Sequence, residues 1–230
     1  MNNDHNVIVL DREIIAHIYI KGIGIEVGAL NLPLKVPKST IVKYVDKFST
    51  SQLRQRYPEI APTEIVNVDI IDDGECLKTI SDGSQDFVIA NHFLEHCQNP
   101  IGATFNMLRV LRCDGILYMA IPDKRFTFDC DRPVTPTRHL LDDYKDGGAN
   151  SKRMAFEEWV KYVDKIKDNT EAEWRVDRLI QIDYSIHYHA WTQIEILEIA
   201  TILMKEINFQ FDIELAYKNG IEMILVLKRK

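Results

Sequence analysis

Two stretches of this 230-residue chain gather side chains able to do chemistry. In "NHFLEH", His92, Glu95 and His96 follow the H-x-x-E-H pattern of inverted zinc peptidases, two imidazoles as ligands and a carboxylate as base. In "HYHAWT", His187 and His189 alternate, so an extended segment turns both imidazoles the same way. Imidazole is also the side chain that exchanges a proton most readily near neutral pH. A zinc site of the first kind needs a rigid helix through both histidines, a third protein ligand and hydrogen-bonded supports. The motif instead starts at the edge of an apolar run, and Asn99-Pro100 restarts the backbone just behind it. About two turns of helix are left at most, so the zinc hydrolase is set aside and no metal is expected. Glu95 is expected in a first helical turn, where its charge complements the helix N-terminus.

The elements that must position these residues read clearly. "KGIGIEVGAL", "TIVKYVD", "EIVNVDII", "DFVIAN" and "GILYMAIP" are short, nearly continuous apolar runs, the pattern of strands buried on both faces. Between them lie "STSQLRQRYPE", with Ser49 or Thr50 as a cap, and a helix entered at Asn99-Pro100 with Ile101, Phe105, Leu108 and Leu111 on one face. Strand alternating with helix five times predicts a Rossmann-like, doubly wound, mostly parallel α/β sheet. Residues 123–190 break the rhythm and read as a helical insertion over the strand ends, including the stretch "RMAFEEWVKYVDKIKD". A helix "TQIEILEIATILMKEI" and two strands, "FDIELAYK" and "IEMILVLK", close the chain. Asn219-Gly220 between the strands is a hairpin signal. That makes seven strands with an antiparallel C-terminal hairpin, in one domain over residues 1–230.

Composition narrows the class. Hydrophobic residues make up 46% and charged residues 27%, ordinary for a soluble globular chain. A net charge of -7 leaves no basic surplus to displace counterions, so nucleic acid is not an expected partner. Cys76, Cys97, Cys113 and Cys130 form no C-x-x-C pair, which suits reduced thiols and a cytoplasmic location. No membrane span is present, and "MNNDHNVIVL" lacks the design of a secretory leader.

In a parallel α/β sheet ligands bind beyond the carboxyl ends of the strands. Glu26, Gly28 and Ala29 end the first strand, and a glycine there lets the backbone approach a ligand. Gly22 and Gly24 lie before and within the strand, so the G-x-G-x-x-G pattern of a nicotinamide oxidoreductase fails in spacing and place. Asp46 ends the second strand, where a carboxylate accepts ribose hydroxyls or simply caps the next helix. Asp69, Asp72, Asp73 and Glu75 follow the third, and Asn91 ends the fourth.

Taken in order, "IEVGALNLPL", "KYVDKFS", "VDIIDDGE", "ISDGSQDFVIANHFLEHCQNPI", "MLRVLRCDGILYMAIPDKRFTFD" and "HYHAWT" resemble a class I S-adenosylmethionine-dependent methyltransferase. More narrowly, they resemble a bacterial subgroup associated with surface-polysaccharide and glycan biosynthesis. The resemblance runs from about residue 20 to the end and implies S-adenosylmethionine as cofactor. It implies that Glu26, Gly28 and Ala29 face the methionine part, that Asp46 holds the ribose, that Asp72 and Asp73 lie near adenine, and that Asn91 contacts the methionyl end. The sequence departs from the family in having Gly28 alone where two or three glycines are usual, and "LRCDG" where "LRPGG" is commoner. The resemblance also places "HYHAWT" over the strand ends.

Methyl transfer from a sulfonium is an in-line displacement, so the protein chiefly aligns acceptor and methyl. An acceptor hydroxyl further needs a base, for which His189 or His187 is the first expectation and His92 the third. Packing against Tyr188 and Trp191 is the other reading of those histidines; the two aromatics are also candidates to touch the acceptor. Lys124, Arg125 and Arg132 gather after the fifth strand and predict an anionic acceptor, small or glycan-linked, unless Asp123, Asp129 and Asp131 pair with them. The amphipathic stretch around Trp159, Tyr162 and Ile166 reads as a cap helix, with a homodimer contact as the alternative. A non-catalytic domain that binds the cofactor or a partner is the alternative function.

Overall fold

The computed structural model describes residues 10–58 and 65–230. Seven strands form one sheet: β1 Ile23–Val27, β2 Ile41–Asp46, β3 Ile70–Ile71, β4 Gln85–Asn91, β5 Leu111–Pro122, β6 Phe211–Asn219 and β7 Glu222–Arg229. Their order is β3-β2-β1-β4-β5-β7-β6, with the first five parallel and β7 antiparallel to both β5 and β6. The mostly parallel sheet with an antiparallel C-terminal hairpin is the expected architecture. Gly220, at φ +59°, closes that hairpin. Only a residue that tolerates the left-handed region fits such a tight turn.

The α-helices among the described residues are α1 Arg12–Tyr19, α2 Thr50–Arg56, α3 Pro100–Val110, α4 Thr137–Asp146, α5 Lys152–Tyr162, α6 Asn169–Gln181 and α7 Gln193–Lys205. Ser49 caps α2 in a reciprocal box with Gln52. Asn99 caps α3, accepting from Gly102 N at 2.8 Å, with Pro100 at the first helical position. One face of the sheet packs Val88, Ala90, Leu117 and Met119 against α3 and α7; the other packs Phe87, Ile89, Tyr118 and Ala120 against α1. Burial on both faces is why these strands read as unbroken apolar runs. A separate cluster of Phe156, Trp159, Val160, Val176 and Leu179 joins α5 to α6.

Several expectations are corrected. The strand–helix alternation is incomplete, since residues 28–40 and 72–84 contain no helix. α1, which precedes β1, covers the sheet instead. "EIVNVDII" yields only two strand residues, because β3 is an edge strand paired on one side; its Glu64 lies outside the described residues, as does Glu59 of "STSQLRQRYPE". The leader reading of "MNNDHNVIVL" falls almost wholly on residues 1–9, also outside them. "LRCDG" opens β5 rather than forming a free turn, with Asp114 at φ +64°. α5 stops at Tyr162, and Lys165 at φ +59° takes the chain out of it. No helix among the described residues is long and apolar enough to cross a membrane.

Candidate active site

A cleft of about 260 Å³ opens at the carboxyl ends of β1, β2 and β4. Its walls are Val27, Gly28 and Leu30 after β1, Asp46 and Phe48 after β2, Gly74 and Phe93 below, and Asp183–Ser185 with Tyr188 above. Two glycines make room for it. Gly28 sits at φ +65°, and a Cβ on Gly74 would stand 2.4 Å from Val27 and 2.5 Å from Phe93. The backbone therefore closes directly onto the Phe93 ring, which no side chain at 74 would permit.

The residues expected at the cofactor divide. Gly28, Asp46 and Asp73 line the cleft. Asp46 accepts from Phe48 N at 3.1 Å, and burial raises its pKa. Asp73 accepts from Glu75 N at 2.9 Å. The other four do not line it. Glu26 points to the opposite face of β1, because side chains alternate along a strand. There its carboxylate takes Leu34 N at 2.9 and 3.2 Å, and burial pushes its pKa up to about 7. Ala29 yields its place to Leu30. Asp72 turns into its own loop, accepting Thr79 N and Thr79 Oγ1 at 2.7 Å and Asp73 N at 2.8 Å. Burial works against its charge, but those hydrogen bonds prevail and hold its pKa below the usual carboxylate range. Asn91 accepts from Ala120 N at 3.0 Å and so ties β4 to β5.

The histidines sort differently from their sequence ranking. His189, the first choice for base, is 2% exposed and stacked at 5.4 Å on Trp191, itself buried in the core. Burial drives the pKa of His189 down to about 4. Neither residue lines the cleft. His187 is also buried, its Nδ1 donating to Asp129 Oδ2 at 2.6 Å. Tyr188 alone of this segment lines the cleft. His92, the third choice, stands on its wall. It occupies the left-handed region at φ +48°, a turn that costs an ordinary residue roughly 1–2 kcal/mol. The turn aims its imidazole at Glu222, with Nε2 donating to Oε2 at 2.8 Å. Glu222 also accepts from Arg12 Nε at 2.6 Å and Asn219 Nδ2 at 2.7 Å. Burial opposes its charge, yet these donors together hold its pKa down to about 2. Chain position gave no signal for Glu222, which lies 130 residues from His92.

Glu95 is not a first-turn charge on a helix. It lies in a single 3-10 turn, Leu94–His96, and is fully buried with no hydrogen-bond partner on either carboxylate oxygen. Burial raises its pKa to about 8. The expected anion pocket is filled by the protein's own groups. Arg132 is 2% exposed and donates to Asp129 at 2.9 Å, Glu158 at 3.1 Å and the carbonyls of His187 and Tyr188. Arg125 grips Asp123 with contacts of 2.9 and 2.5 Å, and Lys124 Nζ donates to Cys130 O at 2.9 Å.

Residues 28–119 match the family model described as a methyltransferase domain, a span holding Gly28, Asp46, Gly74, His92 and Phe93. No curated protein matches the chain. Among solved structures, a proposed Zn-dependent alcohol dehydrogenase from Rhodobacter sphaeroides is similar at 14% identity and a TM-score of 0.51, over 92% of this chain and 86% of that one. That likeness is one of fold. An S-adenosylmethionine-dependent methyltransferase from Methanosarcina mazei gives 14% identity and a TM-score of 0.49, over 96% and 99% of the two chains. A possible histamine N-methyltransferase from Thermotoga maritima gives 17% and 0.47, over 91% and 82%. The matched span, 28–119, covers the strands and loops that line the cleft, and what it supports is an S-adenosylmethionine-dependent methyltransferase, with S-adenosylmethionine as cofactor.

Proposed function

We propose that the chain methylates a hydroxyl of a small or sugar-linked acceptor, with His92 as the general base. The observation that carries this is the position of His92 on the cleft wall, its Nε2–H held by an ionised Glu222. That bond selects the tautomer whose Nδ1, 3.6 Å from Glu95 Oε1, carries the lone pair a proton acceptor needs.

The cleft suits the cofactor. Gly28 and Gly74 keep its floor free of side chains, Asp46 stands where a ribose needs an acceptor, and Phe48 and Phe93 offer apolar faces to a nucleoside. When bound, S-adenosylmethionine supplies an electrophilic methyl with a neutral thioether as leaving group. Tyr188 and the Asp183–Ser185 segment close the cleft from above, so residues 123–190 act as a cap that limits water and orients the acceptor. With the cofactor bound, His92 would take the proton of the acceptor hydroxyl as that oxygen is methylated. Because Arg125 and Arg132 are committed to Asp123 and Asp129, the reading favours an uncharged sugar hydroxyl over an anionic group. Resemblance of "IPDKRFTFD" and "HYHAWT" to the glycan-modifying subgroup supports a role in surface-polysaccharide biosynthesis, and four free cysteines suit a cytoplasmic site.

The test is calorimetric titration with S-adenosylmethionine and S-adenosylhomocysteine, with NAD as control, followed by methyl transfer to a panel of sugars and nucleotide sugars. Micromolar binding of the sulfur nucleosides, turnover on a sugar hydroxyl, and loss of that turnover in His92→Ala are expected. Full turnover in His92→Ala would overturn the base.

A further inference from the structure

We infer that Glu95, His96 and His187 form a binding site for one divalent transition-metal ion of the zinc type, its open position facing the cleft beside His92. The three offer ligand atoms that all lie within 4.8 Å of one another. Each also lacks a use in the methyl-transfer chemistry described above.

Glu95 states the problem. A fully buried carboxylate with no donor on either oxygen is costly, and it calls for a proton or a cation. The two imidazoles are set up to supply the rest of a cation site. His96 Nδ1 faces the carbonyl of Ile186 at 2.9 Å; a carbonyl only accepts, so Nδ1 carries the hydrogen and Nε2 the lone pair. His187 Nδ1 faces Asp129 Oδ2 at 2.6 Å, and Arg132 keeps that carboxylate ionised, so here too Nε2 is bare. Imidazoles fixed by a carbonyl or carboxylate on one nitrogen, with the other turned inward, are the usual construction around a metal. His187 Nε2 lies 3.9 Å from Glu95 Oε1. That is too long for a hydrogen bond, and about half an ångström beyond the ~3.4 Å edge of a tetrahedron built on bonds near 2.1 Å. The remaining separations reach at most 4.8 Å, so the side chains would have to rotate inward to share one ion.

Two imidazoles and one carboxylate form a ligand set that leaves a coordination position open. His96 lines the cleft, and His92 Nδ1 stands 3.6 Å from Glu95 Oε1, so the open position looks toward the cleft wall. Water or an acceptor's oxygen would fill it; the acceptor clause rests on the methyl-transfer reading, whereas ion binding does not. The zinc-peptidase pattern itself fails, since no helix joins His92 to His96 and His92 is taken by Glu222. Two of its residues serve all the same, with the third ligand brought in from position 187. A second group, His139, Asp143 and His189, is also compact. There Ser151 donates to Asp143 Oδ1 at 2.6 Å and His139 Nε2 pairs with Oδ2 at 3.0 Å, one helical turn away, whereas Glu95 has no contact that short on either oxygen, although Asp143 Oδ2 too lacks a hydrogen bond.

The experiment strips the full-length protein with a chelator and titrates it with Zn²⁺ by calorimetry and Co²⁺ by visible absorption. One equivalent per chain is expected, with an intense four- or five-coordinate cobalt spectrum. Glu95→Gln and His187→Ala should each weaken binding about a hundredfold or more, and Asp129→Asn about tenfold. His139→Ala should leave it unchanged. S-adenosylmethionine titration of every variant shows that it is folded and reads the methyl-transfer assignment separately. No stoichiometric binding, binding that survives Glu95→Gln and His187→Ala together, or binding lost in His139→Ala would each overturn the site. Asp129→Asn, which keeps all three ligands, decides the matter should the ligand variants not fold.

Discussion

His92, just after β4, and Glu222, the first residue of β7, meet at 2.8 Å across the end of β5, the strand that lies between them in the sheet. The pair sets the tautomer of the imidazole on the cleft wall. Glu222→Gln keeps the size of the side chain but offers its partners no negative charge. Turnover should fall roughly tenfold to a hundredfold, with cofactor affinity unchanged, as steady-state rates beside a binding titration will show.

The same carboxylate makes a stability prediction. Its folded pKa of about 2 lies below its ordinary value of 4.5, so the unfolded chain binds the proton more readily. The stabilisation is fully present above about pH 4.5 and is lost as pH falls toward 2. Urea unfolding from pH 6 to pH 2.5 should therefore show a smaller acid loss in Glu222→Gln than in the wild type.

Glu26 works with the opposite sign. Burial lifts its pKa from 4.5 to about 7, so the folded protein holds a proton that the unfolded chain releases in that interval. Stability from this group falls as pH rises from 4.5 to 7. Glu26→Gln keeps an acceptor for Leu34 N and removes the ionisation. It should be more stable than the wild type at pH 8, by up to about 3 kcal/mol, and equal to it near pH 4.5.

Gly74 and Asp46 report on the cleft. Gly74→Ala drives a Cβ into Val27 and Phe93 and should abolish measurable cofactor binding. Asp46→Ala removes the acceptor at the end of β2 and should weaken S-adenosylmethionine about tenfold to a hundredfold while the protein stays folded. Calorimetry with circular dichroism on both variants checks this.

Arg132 and Arg125, seven residues apart, should behave unlike each other. Removing buried Arg132 takes its cation from Asp129 and leaves that carboxylate chiefly the hydrogen bond from His187, so Arg132→Ala should destabilise by about 3–5 kcal/mol. Arg125, half-exposed beside Asp123, should change stability far less and leave acceptor KM unaltered. A rise in acceptor KM in Arg125→Ala would restore the anion pocket.

How far the chain could be read follows from the range of each interaction. The parallel sheet, the caps at Ser49 and Asn99, the start of α3 and the Asn219-Gly220 hairpin are written in neighbouring residues. Strand runs buried on both faces, side chains that answer a helix end, and a left-handed turn are local demands that local sequence meets. The place of Gly28 and Asp46 on the cleft wall follows for the same reason, since the carboxyl end of a parallel strand is a place the sequence marks.

Tertiary structure alone chose among the polar groups. Glu26 and Asp72 carry the right charge at strand ends, but side-chain alternation and Thr79 turn them away from the cleft. His189 outranked His92 on spacing, yet Trp191 and the core enclose it, while a positive φ and a carboxylate 130 residues distant bring His92 to the wall. Amino-acid type and spacing determined the architecture, because backbone hydrogen bonding and apolar burial act through short periods of the chain. Which charges meet, and which face solvent, was decided by long-range packing, because electrostatic pairing depends on distance in space and not on distance in sequence.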